Sequence, residues 1–464
     1  MAVMATDEQL LQSLLEKIYN IVVGPDPINK VDPVGGSYVS FCLPGIPLAP
    51  DDLDFSFVEL NKSERAADFA SLVNSVPPAS GRWAPSDRKV DSYYRRVLNE
   101  TIRPVVELSK TEKKRLDAAY SILTREVEAV DLTTGAVKKV PADTPLYEAY
   151  QDRVAGYLTA LTAYKSLHAN YLARPDDPQA QAEWFTKSAI LKQQVKLAYD
   201  RWLAGGKKTI EEALDAIEEL GRGTGERWRR LEDTLNLAEQ TTSEGQPYLF
   251  TKFFPSKFYD EAHQGSWTKF SMSHEEVHTV DQTSSTNWGG GGGFSVGLWS
   301  VGASASYAEQ KSHYKSDGKI SGLEVQLIRV PIRRSWWDPT IFWDRGWKFD
   351  PQVSNLILSD GKIPPSGEMP SYPTAMIVAK QLKLGIEMTS EENNHVATQF
   401  SASGSVGWGP FSVRGNYSRN TDKKTHDFTK TSAGLEAPGM QVIGFVCELL
   451  PKSPDPDTTL NWQN

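Results

Sequence analysis

The chain of 464 residues has very little cysteine, since only Cys42 and Cys447 occur. Two cysteines cannot form a disulfide framework, so a hydrophobic core must hold the fold together, which suits a reducing compartment. Basic residues are outnumbered by acidic ones, and the net charge is −9. A nucleic-acid-binding protein presents a basic surface, so we expect no nucleic-acid partner.

Long hydrophobic runs are also missing. No stretch of about 18 or more apolar residues occurs, so no transmembrane helix is predicted. The first residues, MAVMATDEQLLQSLLEKIYNIVV, lack a basic start and carry acidic residues within their apolar part. They are typical of a short amphipathic helix and not of a signal peptide. We expect a protein that is made in soluble form in the cytoplasm and acts at a membrane or after release.

The first half of the chain, residues 1–245, has a helical periodicity. Apolar residues keep a helical spacing in four long stretches, 86–130, 145–172, 181–204 and 208–240. A segment rich in proline and glycine at about 23–60 is expected to be irregular. The pattern predicts an antiparallel helical bundle, and no catalytic constellation occurs in it.

The second half, residues 246–464, has more glycine, serine, threonine and tryptophan and no helix-length apolar stripes. An internal repeat covers about 269–331 and about 382–451. Each copy passes from a strand-like stretch through a Glu-Glu pair and a Gly/Ser run to Gly-Leu-Glu and an apolar strand. We predict an antiparallel β domain built from two repeated long hairpins. Together the two halves give a multi-domain α+β fold.

The pentapeptide HEEVH at 274–278 matches the zinc-protease pattern H-E-x-x-H. In such proteases the two histidines share one helix face and bind one Zn²⁺. Here the surrounding Ser, Val and Thr favour a strand, on which residues four apart are separated by roughly 13 Å. The second copy has Ser390 in place of the first histidine. A zinc hydrolase is therefore a minor alternative, and we expect no metal site, no cofactor and no enzyme activity.

Each predicted hairpin has an apolar face and a small-polar face. The tips are predicted near 297–300 and near 408–411, with Val406 opposite Val413 in the second hairpin. The apolar and aromatic residues of the first hairpin are Trp288, Phe294, Val296, Leu298, Trp299, Val301 and Tyr307. Those of the second hairpin are Phe400, Val406, Trp408, Phe411, Val413 and Tyr417.

The alternation in these hairpins suggests insertion into a membrane. In pattern alone they resemble the insertion hairpins of β-barrel pore-forming proteins, some of which contribute two hairpins per subunit. A membrane-crossing strand needs about 9–11 residues that alternate between apolar and polar, which both stretches supply. We therefore predict an oligomerising, membrane-interacting, pore-forming-like protein, with a lipid membrane and further copies of itself as partners.

Self-assembly is the main alternative. Glycine and alanine dominate the apolar faces, and such residues let another backbone approach closely. In that case the hairpins pack the subunits of a scaffold and never meet lipid. In a third interpretation, the hairpins fold back on the helical half as half-buried sheet.

Between the repeats, four tryptophans lie close together in sequence with three arginines. Tryptophan is amphipathic and stacks on arginine, so these residues form a candidate interfacial cluster. A packed corner of the β domain explains the same pattern. The four residues are Trp336, Trp337, Trp343 and Trp347.

Replacing His274 by Ala is expected to leave the fold and any activity unchanged, because the motif lacks the helical context of a zinc site. Metal analysis of the purified parent and variant checks this expectation. One tightly bound Zn²⁺ per parent chain, lost on substitution, would show that the motif is a metal site.

Overall fold

A computed structural model describes most of the chain, and the fold is mixed α+β. The described residues are 7–33, 35–55, 60–78, 82–104, 108–130, 137–174, 176–221, 225–260, 266–273, 298–301, 319–391, 394, 398, 405–414, 429–431, 434–460 and 462. The motif HEEVH at 274–278 lies outside them.

The long α-helices among the described residues lie in the first half of the chain. They are α1 (Asp7–Val22), α2 (Leu60–Val73), α3 (Val90–Asn99), α4 (Lys110–Leu123), α5 (Pro145–Ala173), α6 (Pro178–Trp202), α7 (Lys208–Gly221) and α8 (Gly225–Leu237). Capping fixes where α5 begins, because the Thr144 hydroxyl accepts the Tyr147 N–H and Pro145 has no N–H that would need an acceptor in the first turn.

Strands occur in both halves of the chain. The first eight are β1 (Ser37–Leu48), β2 (Arg82–Trp83), β3 (Thr101–Ile102), β4 (Thr124–Val130), β5 (Val137–Asp143), β6 (Glu239–Thr241), β7 (Pro247–Leu249) and β8 (Lys252–Phe253). The others are β9 (Thr268–Ser273), β10 (Leu298–Val301), β11 (Lys319–Arg333), β12 (Lys348–Phe349), β13 (Ser371–Glu387), β14 (Ser405–Trp408), β15 (Phe411–Arg414), β16 (Thr429–Thr431), β17 (Gly434–Ala437) and β18 (Met440–Leu449).

Two of the four predicted long helices agree closely with the structure. The stretches 145–172 and 181–204 are confirmed as α5 and α6. The stretch 208–240 is divided into α7 and α8. The stretch 86–130 contains α3 and α4 and ends in β4, in which only the central residues 126–129 alternate between polar and apolar as strands do.

One large sheet joins the two halves of the chain, with β13 near its centre. β11 pairs with one side of β13, and β9 pairs with the other side of β11. On its second side, β13 pairs with β18 and, nearer its end, with β17. β18 then pairs with β1, and β17 pairs with β16. All these pairs are antiparallel.

The segment 23–60 is not irregular throughout, because it contains β1. Nearly every residue of this strand is buried, so it lacks the alternation that marks a half-exposed strand. Pro44 and Pro47 make the strand still harder to recognise in the sequence, because proline is unusual within a sheet. Its pairing with β18 is also interrupted between Phe41 and Ile46. The prediction of an irregular segment was therefore wrong at β1.

Two hydrophobic cores lie on the two faces of the large sheet. Ala375, Ile377 and Ala379 of β13 belong to one core, and Met376 and Val378 belong to the other. Successive side chains of a strand point to opposite faces, so the sheet separates the cores. The apolar stripe of α1 covers the first core, and residues of α2, β2 and β8 contribute to the second.

The helices do not form the single antiparallel bundle that was predicted. α5 and α6 share one small core, and α4 and α7 share another. α3 and α8 instead bury their apolar residues with Trp336 and Trp347. Because α1, α3 and α8 find partners in the second half of the chain, helical periodicity alone could not assign them to a bundle.

A buried charged group fixes α5 to the segment that follows α1. Lys165 Nζ donates to the Gly24 carbonyl at 2.5 Å, and Tyr157 OH donates to Asp26 Oδ2 at 2.5 Å. Burial lowers the pKa of Lys165 to about 7, although Asp26 and Asp32 oppose the shift. Lys165 therefore gives up its charge in the folded protein more readily than in the unfolded chain.

Lys165 is expected to make the free energy of unfolding rise with pH between about 7 and 9, because the unfolded chain then binds more protons at this residue than the folded protein. Replacing Lys165 by Met should flatten this slope by about 1 kcal/mol per pH unit. Urea unfolding of both proteins across this range measures the difference. Equal slopes would show that Lys165 keeps an ordinary pKa.

Candidate functional site

Two long excursions leave the large sheet at the same end. The first runs from Ser273, where β9 ends, to Lys319, where β11 begins. The second runs from Glu387, where β13 ends, to Gly434, where β17 begins. Pairing of Lys319 with Glu387 and of Ser273 with Gly322 places these strand ends side by side. Four adjacent strands therefore end side by side, and the first excursion connects β9 to β11 while the second connects β13 to β17.

The described parts of the two excursions pair with each other. β10, from the first excursion, is antiparallel to β14 of the second, with Leu298 opposite Trp408 and Val301 opposite Ser405. β15 pairs with the other side of β14, giving a three-stranded sheet. The predicted tip near 297–300 is therefore wrong, because Leu298 to Val301 is a strand. Its partner belongs to the other repeat, which local sequence cannot reveal.

The tip of the second hairpin is a tight turn at Gly409 and Pro410, as predicted near 408–411. Trp408 pairs with Phe411 across it. Gly409 has a φ of 53°, in the left-handed region that favours glycine. The conformation of the turn therefore favours glycine at this position.

The strands behind this turn are out of the predicted register. Gly407 pairs with Ser412, but the register then shifts and Val406 pairs with Arg414. The predicted pair of Val406 with Val413 is wrong, since Val413 is the extra residue of a β-bulge. The hairpin in this structure therefore differs by one residue from a regular amphipathic hairpin.

The second tip is packed into the body of the protein. Val406, Trp408 and Phe411 are 1%, 1% and 0% exposed, and they belong to the core that α1 covers. A Cβ placed on Gly409 would lie 2.7 Å from Leu11 Cδ1, so α1 touches the turn directly. The apolar side chains of the tip are thus hidden from water.

Gln441 of β18 holds the backbone of the tip with two hydrogen bonds. The Ser412 N–H donates to Gln441 Oε1 at 2.7 Å, and Gln441 Nε2 donates to the Ser412 carbonyl at 2.9 Å. On the adjacent strand β1, a Cβ at Gly45 would overlap the Pro410 carbonyl. The turn therefore rests directly on the sheet. We call Leu11, Gly45 and Gln441, which touch the tip, the tip dock.

Sequence reasoning did not find the tip dock. Gln441 and Leu11 lie in ordinary strand and helix patterns. A signal that could have been used is Gly45, which lies between two prolines, since glycine in a strand permits a close approach of backbones. Both hydrogen bonds of Gln441 connect residues far apart in sequence.

Part of the second excursion is helical where a hairpin arm was expected. The backbone is helical at Ser390, Glu391, Asn394 and Thr398, and Thr398 Oγ1 donates to the Asn394 carbonyl at 2.8 Å. The hairpin prediction is wrong at these four positions. Glutamate, alanine and glutamine in this stretch are good helix formers.

The remaining predicted residues differ in where the structure places them. Trp336 and Trp347 are 1% and 0% exposed and belong to a core, Trp337 packs against it, and Trp343 is 41% exposed. For Leu298, Trp299 and Val301 the structure gives the backbone pairing, and Val413 lies in β15 at the bulge. Six residues lie outside the described ones, namely Trp288, Phe294, Val296, Tyr307, Phe400 and Tyr417.

Within the described ranges, no group of three or more His, Cys, Asp or Glu could hold a metal ion. In the same ranges, no helix is both long and apolar enough to cross a membrane. Comparison with protein-family models, curated proteins and solved structures finds no match to this chain. The site thus consists of the apolar tip of the second hairpin, which close packing and the Gln441 side chain hold against the sheet.

Replacing Gln441 by Leu is expected to loosen the tip, because the buried N–H and carbonyl of Ser412 lose their partners at a cost of about 1–3 kcal/mol. Hydrogen exchange over 405–414 should become at least roughly tenfold faster. Gln326→Leu is the matched control, since the Gln326 side chain bonds Gln381 at the surface. Unchanged exchange in the Gln441 variant would mean that apolar packing alone holds the tip.

Proposed function

We propose that this protein oligomerises on lipid membranes and perforates them by refolding its two excursions into membrane-crossing β-hairpins. The observation that carries this proposal is the topology of the large sheet. Four adjacent strands, β9, β11, β13 and β17, open into the two excursions at one end. Hairpins formed by residues 274–318 and 388–433 would continue these strands without changing their order.

The excursions contain enough chain to cross a bilayer. Each arm of a hairpin over 274–318 has roughly 20 residues, whereas a membrane-crossing strand needs about 9–11. At about 3.3 Å per residue, such an arm also bridges a gap between the sheet and the membrane surface. The Gly/Ser-rich alternation in both excursions supplies one apolar and one polar face.

A soluble form of such a protein must hide the side chains that later meet lipid. Burial of Val406, Trp408 and Phe411 beneath α1 does this for the second tip. Each of these side chains contributes about 1.5–3 kcal/mol when it is removed from water. A bilayer offers an equivalent apolar environment, so transfer from the tip dock to lipid conserves most of that free energy.

The register of the stored hairpin also differs from the one a membrane requires. Val406 is opposite Arg414 in this structure, whereas a regular hairpin would place Val413 there. A shift of one residue moves a side chain to the other face of the strand. Removing the bulge on release would place Arg414 on the polar face, where the charge meets water.

Oligomerisation follows from the demands of the bilayer. Backbone donors and acceptors must all be paired within the hydrocarbon region, so the sheet has to close into a barrel. Four strands from one chain are too few to close around a pore, because membrane barrels have eight or more. Several copies would therefore each contribute two hairpins. The scaffold alternative shares this need for copies but not the need for lipid.

A reversible cross-link between the tip and α1 should block perforation. We expect Leu11→Cys combined with Gly409→Cys to release no dye from phosphatidylcholine liposomes when oxidised, and to release it after reduction, because the disulfide ties the tip to its dock. The two positions face each other directly, because a Cβ at Gly409 would lie 2.7 Å from Leu11 Cδ1.

Each single cysteine variant under the same oxidising conditions is the control for strain at the left-handed position. Mass spectrometry confirms the cross-link before the assay. Dye release by the cross-linked form at the parent's rate would refute a role for tip release. Assemblies that scatter light in lipid-free buffer, with no dye release by the parent, would support the scaffold alternative instead.

A further inference from the structure

The outer strand of the large sheet, β9, has one open side. It pairs with β11, and no other strand among the described ranges pairs with it. Open strand edges pair readily with other chains, and soluble proteins cover or charge them for this reason. How this edge is covered therefore bears on whether copies of the chain associate.

Side chains from α1 and α5 bond the backbone of β9. Ser166 Oγ of α5 donates to the Lys269 carbonyl at 2.8 Å, and Lys17 Nζ of α1 donates to the Ser271 carbonyl at 2.8 Å. Lys269 and Ser271 are two residues apart, so their carbonyls point to the same side of the strand. Because both carbonyls accept bonds from side chains, that side is the open edge.

Arg174, which follows the last residue of α5, reaches around this edge. Phe270 and Met272 point into the core beneath α1, so the Ser271 side chain between them points to the opposite face. Arg174 Nη2 nevertheless donates to Ser271 Oγ at 3.2 Å. Lys17, Ser166 and Arg174 together form what we call the edge guard.

The other margin of the same part of the sheet is held by few contacts. There β16 pairs with β17 over only three residue pairs. From β9 through β11, β13 and β17 to β16, each strand is antiparallel to the one before, so β9 and β16 run in the same direction. A second copy that added its β9 beside β17, in place of β16, would continue the antiparallel order.

We propose that the guarded edge of β9 is the surface at which a second copy of this chain adds its β17, antiparallel, once β16 has been displaced. Lys17, Ser166 and Arg174 keep the edge closed in the single chain. The inference rests on the proposed function, since neighbouring hairpins can form one barrel only when the strands that carry them pair between copies.

The guard and the tip dock share one helix. Lys17 covers the edge of β9, and Leu11, on the same helix α1, touches the turn at Gly409. Movement of α1 away from the sheet would uncover the second tip and remove Lys17 from the guard, whereas Ser166 and Arg174 would leave the edge only if the end of α5 moved as well. Insertion would then be coupled to assembly through α1, because both require this helix to move.

The test replaces Ser271 by Pro. The Ser271 N–H faces the same side as its carbonyl, so proline removes a donor from the open edge and leaves the pairing with β11 intact. We expect a parent-like unfolding transition and at least a tenfold loss of cross-linked oligomers on phosphatidylcholine vesicles. Ser271→Ala keeps the N–H and loses only the bond from Arg174, so it should assemble at least as well as the parent.

The opposite change gives an independent measurement. Lys17→Met combined with Ser166→Ala removes two bonds of the guard and should lower, by about tenfold, the protein concentration at which oligomers sediment in buffer. An unchanged concentration threshold, or a folded Ser271→Pro variant that assembles like the parent, would overturn the inference. If Ser271→Pro fails to fold, the concentration threshold of the Lys17→Met and Ser166→Ala variant alone tests the inference.

Dye release is recorded separately from assembly, so that the two proposals fail separately. Assembly that depends on the β9 edge without any dye release would support the edge and refute perforation. Dye release by an assembling Ser271→Pro variant would refute the edge and leave perforation standing. A parent that never assembles, in buffer or on vesicles, would refute both.

Discussion

Burial of the apolar stripe of α1 is the interaction on which the rest of this structure depends. Its leucines and isoleucines are almost fully buried against the large sheet, in the same core as the second tip. Each such side chain contributes about 1.5–3 kcal/mol, so the helix as a whole contributes an amount comparable to the net stability of a typical domain. α1 can therefore leave the sheet only where another apolar environment receives what it uncovers.

Hydrogen bonds fix where the buried segments lie, and they contribute less to the free energy of folding than the apolar burial does. Gln441 binds the tip, and Lys17 and Ser166 bind the edge of β9. A single bond of this kind has a net value of only about 1 kcal/mol. Contacts of this size fix where the tip and the edge lie, and under the proposed function they could be exchanged for bonds to a new strand. Apolar packing would then provide the barrier to release of the tip, and the polar contacts would define its position before release.

The bulge at Val413 and the helical positions around Ser390 indicate that the second excursion is not a finished hairpin. Its strand β14 pairs with β10 of the first excursion, so the described parts of the two excursions are in direct contact. Because the large sheet already brings four strand ends side by side, such refolding would extend existing strands. In the proposed refolding, the same sheet would be a rigid frame before the change and a template for the extended strands after it.

The sequence by itself determined the elements whose causes are local. Helical spacing located α5 and α6, and the Gly409–Pro410 turn follows from the left-handed φ that glycine allows. Tertiary structure alone decided the pairings. β1 is buried along nearly its whole length and shows no alternation, while β10 takes its partner from the other repeat. Gln441 and Leu11 acquire their roles from residues distant in sequence. Periodicity records which face of an element is apolar, but it does not record what covers that face, because the covering residues are chosen by long-range packing.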